Sequence, residues 1–269
     1  MLVNPTITIG GFEMNAWLSV DSDDLIHLPS HRGHPHRSAN PMPSWKTEGY
    51  TASKELLEAT DSFIQWVENG PMVTIFLIAE QLDCPKFTQK LQSLLMMPNV
   101  VFASHGWGHR CWSAWPENVE DFSEMLVASR DRISAFAGDS WRPWFRAPGG
   151  YVAPWMAGPL AATGFRLDSS VNPSKWVSKK MHGDWHQVVE SMEKSGVIER
   201  PWLTTIFGPA CGPALHLVPF SWLAGRAWKR ESNSITNNPE NAEVTTLYWH
   251  ILDHGRKSGK WTPPLSKSK

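Results

Sequence analysis

Apolar residues in this chain gather into short solid runs separated by stretches of helical spacing. Residues 17–21, 72–78, 100–104 and 245–250 are rich in β-branched and aromatic side chains and predict buried strands. Between them the period lengthens. Residues 53–69 put Leu56, Leu57, Phe63, Ile64 and Val67 on one helical face, with Gly70 as a stop. Residues 86–96 do the same with Phe87, Leu91, Leu94 and Leu95, and residues 118–136 with Val119, Phe122, Leu126, Ile133 and Phe136. Strands alternating with helices imply a parallel sheet, and closing it into a barrel brings every strand end to one face. Two stretches fit poorly. Residues 25–46 are rich in Pro and His (His27, His31, His34, His36) and are expected to form an exposed loop on one rim of a cleft, in preference to a second metal site. Residues 176–195 are polar and read as an irregular lid or rim.

Composition narrows the class. The chain has 269 residues, a net charge of −1 and 41% hydrophobic residues, which suits one domain spanning 1–269. The near-neutral charge argues against nucleic acid as a partner. No apolar run approaches the length of a membrane span, and residues 1–11 lack a basic region followed by a long apolar core, so a cytoplasmic location is expected. Three cysteines, Cys84, Cys111 and Cys211, have no motif spacing and suggest no disulfide framework. Cys111 lies two residues after His109 but is expected to be a buried apolar side chain. The 16 tryptophans are expected mostly in core and walls.

Candidate chemistry starts at His105 and His109. Two imidazoles four residues apart fall on one face of a helical turn, a spacing that lets both bind one metal ion. They follow the strand at 100–104, and α/β folds carry their chemistry where strands end. The first strand ends in Asp21-Ser22-Asp23-Asp24, and acids so close repel one another unless a cation lies between them. The two observations together predict a two-His, one-carboxylate site in which one acid binds metal and another is free to act as a base. Arg146, after an aromatic strand-like stretch and before Pro148-Gly149, can pair with a carboxylate. His250 ends the last strand and could serve as a general acid.

In this order the segments resemble the polysaccharide deacetylase family (NodB-like, carbohydrate esterase family 4). Residues 73–78 look like its second strand, and the run Gly164 to Ser170 is similar to its Gly-Tyr-x-x-Asp-Ser-Ser variant. The resemblance covers roughly residues 15–253. It implies a distorted (β/α) barrel with fewer than eight strands. It also implies that Asp21 is the catalytic base, that Asp23, His105 and His109 hold the metal with Asp24 as a rival ligand, that Arg146 orients the base, and that His250 is the acid. Asp168 is expected to support Arg146 or His250. The family often carries an aromatic residue at the position of Gly149, whose backbone N–H helps bind the oxyanion, so the aromatic wall is expected from elsewhere. The implied cofactor is a divalent metal, Zn2+ first, with Co2+, Ni2+ or Fe2+ served by the same ligands. The implied reaction removes an N-acetyl or N-acyl group from a sugar or glycoconjugate. Other amide hydrolases of this fold, a deformylase or an imidase, and a non-catalytic carbohydrate-binding relative are the alternatives. The sugar and the oligomeric state are left open.

Overall fold

The structure, a computed structural model, describes residues 15–181, 184–218 and 220–266. The N-terminal stretch read above for a secretion signal lies outside them. Among the described residues no helix is long and apolar enough to cross a membrane.

The elements run β1 (Asn15–Asp21), α1 (Lys54–Val67), β2 (Val73–Leu77), α2 (Pro85–Leu95), β3 (Val100–Ser104), α3 (Val119–Ala137), β4 (Trp141–Phe145), α4 (Ala157–Ala162), β5 (Leu167–Asp168), α5 (Trp185–Lys194), β6 (Ile198–Glu199), the hairpin β7 (Thr204–Thr205) and β8 (Gly208–Pro209), α6 (Phe220–Glu231), β9 (Ile235–Thr236) and β10 (Val244–His250). The predicted strands and helices are present within two residues of their expected ends. Ser53 caps α1 and Asn118 caps α3, each accepting a backbone N–H of the first turn.

The main sheet runs β10-β1-β2-β3-β4-β5-β6, every neighbour parallel, with β9 also against β1. Its outer strands meet just beyond β6, where Trp202 bridges Thr246 and the Leu203 N–H donates to Thr246 O at 3.0 Å. The result is a distorted barrel of seven main strands.

The two-residue period of a strand sorts side chains to opposite faces. Leu18, Val20, Ile75, Leu77 and Phe102 join the outer core against the helices. Trp17, Phe76, Val101, Ala103, Trp144 and Leu167 form a separate inner cluster. Trp17 stands edge-on to Trp144 and Phe76, with ring centroids 5.5 and 5.9 Å away, and its Nε1–H donates to Thr74 at 2.9 Å. Above this aromatic floor the inner face turns polar.

Two expectations need correction. Residues 176–195 are not irregular throughout. Asp184 caps α5, and Val188 and Met192, four residues apart, are its buried face. The loop at 25–46 is not simply exposed: His31 and His36 are, but His27 is fully buried, its Nε2 2.8 Å from the buried Glu80 carboxylate, which also pairs with Arg32 and Thr47. The loop is anchored from below by this charge cluster.

Candidate metal-dependent active site

β1 presents Trp17, Ser19 and Asp21 on alternate positions, and register places Asp21 opposite both His250 and Phe76. Arg146 enters the same space from the end of β4. It is 0% exposed, yet every edge of its guanidinium is engaged. Nη1 donates to Asp21 Oδ1 at 2.6 Å, Nη2 to Ser19 Oγ at 2.8 Å and Nε to Ser169 O at 2.9 Å. Its flat face lies 4.1 Å from the Phe76 ring centroid and 4.9 Å from that of Tyr248, so stacking and bonding together compensate the buried charge.

The backbone of Arg146 works on a second residue. Its carbonyl oxygen lies 2.8 Å from His105 Nδ1, so Nδ1 carries the proton and Nε2 keeps its lone pair. His105 Nε2 is 3.4 Å from Asp23 Oδ1, and His109 Nε2 is 3.3 Å from Asp23 Oδ2. All three side chains are buried, and one donor atom from each lies within 4.8 Å of the others. Among the described residues, Asp23 Oδ1, His105 Nε2 and His109 Nε2 have no hydrogen-bond partner. Buried electron-pair donors facing one another are unfavourable alone and fit a divalent cation. Burial opposes the charge on Asp23, but His109 and His105 hold its carboxyl well below the usual range. Burial lowers His109, whereas at His105 the Asp21 and Asp23 carboxylates outweigh burial and raise it.

The spacing of His105 and His109 led to a helical turn, and that expectation is wrong. Residues 105–110 form an irregular loop with Gly106 at φ +79° and His109 at φ +62°. A left-handed residue that is not glycine is uncommon. Here it reverses the chain so that His109 comes back over His105, their ring centroids 5.2 Å apart.

Asp24 spends its carboxylate on other bonds. Its carboxylate accepts from Leu25 N–H at 2.6 Å, Tyr50 OH at 2.6 Å, Ser53 N–H at 2.8 Å and the Ser53 hydroxyl. It caps residues 25–27 and ties them to the start of α1. Asp23 is the acid left facing the histidines.

His250 Nε2 lies 3.5 Å from Asp23 Oδ2. Behind it stands Asp253, which takes the His250 N–H at 3.1 Å and lies 3.7 Å from His250 Nδ1. Burial would lower His250, but Asp253 and Asp23 override it and hold the imidazole up at about 9. His216 Nε2 lies 2.8 Å from the same carboxylate, and Arg256 Nε donates to it at 3.0 Å. Sequence reading missed Asp253 and His216. An acid three residues after a strand-end histidine was a usable signal for the first, and nothing local marked the second. A cavity of about 700 Å³ opens over these groups, lined among others by Asp23, Leu28, His216, His250 and Asp253.

Asp168 hydrogen-bonds neither Arg146 nor His250 directly, although the Arg146 charge acts on it. It accepts from Ser170 Oγ at 2.7 Å and Ser170 N–H at 3.1 Å, and Ser170 Oγ in turn accepts the Ala147 N–H at 2.7 Å. It sits beside buried Glu199, whose carboxyl is pushed well up by burial and by Asp168. The pair braces the turn after Arg146, because the short strand β5 ends opposite Phe145 rather than over the site. In that turn Gly149 has φ +61°, and a side chain there would meet the Tyr151 ring at 3.2 Å. Tyr151 is the aromatic side chain beside this position. Cys111 is buried and free, with its thiol pushed up to about 12 by burial, as its apolar role requires.

No family model and no curated protein matches the chain. Similar chain paths occur in solved structures. A Mycobacterium smegmatis protein assigned as a polysaccharide deacetylase is 18% identical over 76% of this chain, TM-score 0.46, and this chain spans 65% of it. A family 4 carbohydrate esterase from Streptomyces lividans is 10% identical over 88% of this chain and 79% of its own, TM-score 0.41. A 4-alpha-glucanotransferase from Thermococcus litoralis is 12% identical over 92% of this chain but 35% of its own, TM-score 0.48. Likeness at this level extends to more than one activity, so function has to be argued from the site.

Proposed function

We propose that the chain is a metal-dependent amide hydrolase of the polysaccharide deacetylase kind, acting as one catalytic domain that removes an N-acetyl or N-acyl group from a sugar or glycoconjugate. The observation that carries this reading is the convergence of Asp21 with Arg146, Asp23 with two histidines, and His250 with Asp253 on one cleft. A binding module has no use for a carboxylate and an imidazole set on either side of a metal-ligand triad.

Asp23, His105 and His109 would hold the cation, with Zn2+ the best match to two imidazoles and a carboxylate. A bound divalent cation supplies Lewis acidity toward a water and an amide carbonyl. The remaining work falls to the chain. Arg146 fixes the Asp21 carboxylate through one of its two oxygens, leaving the other to take a proton from the attacking water. The Gly149 N–H would donate to the oxygen on which negative charge develops, since the next two N–H groups are bonded within the turn. His250, held up by Asp253, gives its proton to the departing nitrogen, without which an amine does not leave. Ser19 and Ser169 keep Arg146 from turning away.

The test is metal analysis of the purified protein followed by amine release from N-acetylated saccharides. Stoichiometric metal with release that disappears in Asp21→Asn is expected. Full metal with no release from N-acetyl, N-formyl or cyclic imide probes would overturn the hydrolase reading.

A further inference from the structure

Beyond the reacting groups, cations concentrate around Tyr151, just past the turn that follows Arg146. Arg37 Nη1 donates to Tyr151 OH at 3.0 Å. Lys180 Nζ donates to Gly149 O at 2.8 Å and lies 5.1 Å from the Tyr151 ring centroid. The His34 ring packs edge-on to Tyr151 at 5.2 Å, with His36 beside it at 6.3 Å. Among the described residues, no carboxylate pairs with Arg37 or Lys180. The donors are underused. Among the described residues, Lys180 has one bonded acceptor for its three N–H groups. Among them Arg37 has one for five. His34 Nδ1 accepts the backbone N–H of His36 at 3.1 Å and of Arg37 at 3.2 Å, so its proton sits on Nε2, a further outward donor. Burial is the main influence on the two groups. Burial, then Arg37, His36 and Lys180, lower His34, and burial together with Arg37 lowers Lys180. Cations gathered around one ring, with donors to spare, suit an anion.

Its position ties it to the reacting centre. Gly149, which Lys180 holds, is three residues beyond Arg146. The loop carrying His34 and Arg37 presses on the metal-ligand turn, since a side chain at Gly33 would meet His109 O at 2.3 Å. Pro29 lies 3.9 Å from where a Gly149 side chain would begin, and its neighbour Leu28 lines the cavity with Asp23 and His250. On the far side the cavity is lined by Glu55 and Glu58. The cationic group at Tyr151 thus lies beside the cavity, next to Pro29 and Leu28, and outside its immediate lining.

We propose that the substrate carries an anionic group, a phosphate or a carboxylate, near its acylamino group, and that Arg37, Lys180 and His34 receive it beside Tyr151. This rests on the acyl-sugar reading above, and the test separates the two. Calorimetry would measure binding of N-acetylglucosamine, N-acetylglucosamine 1-phosphate and N-acetylmuramic acid to the metal-loaded protein. The phosphate arm and the carboxylate arm distinguish the two sources of charge. At least one charged sugar is expected to bind about tenfold or more tighter than the neutral one. Rising salt should erode that preference. Arg37→Ala/Lys180→Gln should erase it, with near-ultraviolet circular dichroism unchanged, while Lys180→Arg should keep it. Equal affinity for all three sugars, or a charge preference that survives the double variant, would overturn the proposal. A preference that follows these residues without any amine release would leave the anion site standing and count against the deacetylase reading instead.

Discussion

Arg146 and Asp21, 125 residues apart, meet in a 2.6 Å ion pair inside the barrel, at 0% and 3% exposure. The same arginine holds His105 through its carbonyl. One residue thus sets both the candidate base and a candidate metal ligand. Arg146→Ala strips the Asp21 charge of its partner, and about 3–5 kcal/mol of stability should be lost. Urea unfolding measures it. Asp21→Asn removes the carboxylate but leaves Asp23 and both histidines in place. It should retain metal and lose activity on the order of 100-fold or more. An Asp21→Asn enzyme with near-wild-type amide hydrolysis would remove Asp21 from the mechanism.

Asp23 and Asp24 adjoin in sequence but should respond in opposite ways. Asp23→Ala, or His105→Ala with His109→Ala, should abolish metal binding without unfolding the chain. Asp24→Ala should keep the metal yet cost about 1.5–3 kcal/mol, because its bonds to Tyr50, Ser53 and Leu25 are charge-assisted and mostly buried. Elemental analysis and denaturation on the two single variants decide this. Metal loss in Asp24→Ala alone would reverse the assignment.

His250 and Asp253 are expected to act as a unit. His250→Ala should cut amide hydrolysis strongly while sparing an activated aryl ester, whose leaving group needs no proton. Asp253→Asn should show the same selectivity in weaker form, about tenfold or more on the amide, with metal content unchanged. Equal losses on amide and ester would assign the pair a structural role.

Stability should fall in mild acid because of His254. Its buried Nε2 accepts the Trp249 Nε1–H at 2.9 Å, and burial lowers its pKa to about 4. The folded pKa lies below the unfolded value near 6.5, so the unfolded chain binds more protons between the two. The contribution, about 3 kcal/mol, is therefore complete above pH 6.5 and is lost as pH falls toward 4. Buried His27, lowered well below its usual value by burial and by His109, adds in the same direction. Thermal melts from pH 7 to 4 should show the decline, and His254→Gln should flatten part of it. Unchanged melting across that range would contradict the assignment.

The residues alone determined the alternation of strands and helices, since a buried parallel strand and an amphipathic helix each leave a periodic signature whatever surrounds them. They also marked Asp21, Asp23, His105, His109, Arg146 and His250, each at or just beyond a strand's C-terminal end, where a parallel sheet must gather them. What they could not settle depended on contacts between distant segments. Asp23 was separated from Asp24 only by Tyr50 and Ser53, which occupy the second carboxylate. The His105–His109 spacing was read as helical because the left-handed turn at His109 has no signature in residue type. His27 was placed at the surface because its burial follows from Glu80, 53 residues away. The bond from Ser170 to Asp168, and through Ser170 to the residue after Arg146, likewise depended on strand pairing that pattern does not show. Local periodicity is written in the chain. Which of two adjacent acids is free, and which histidine is covered, is decided by partners that only folding brings within bonding distance.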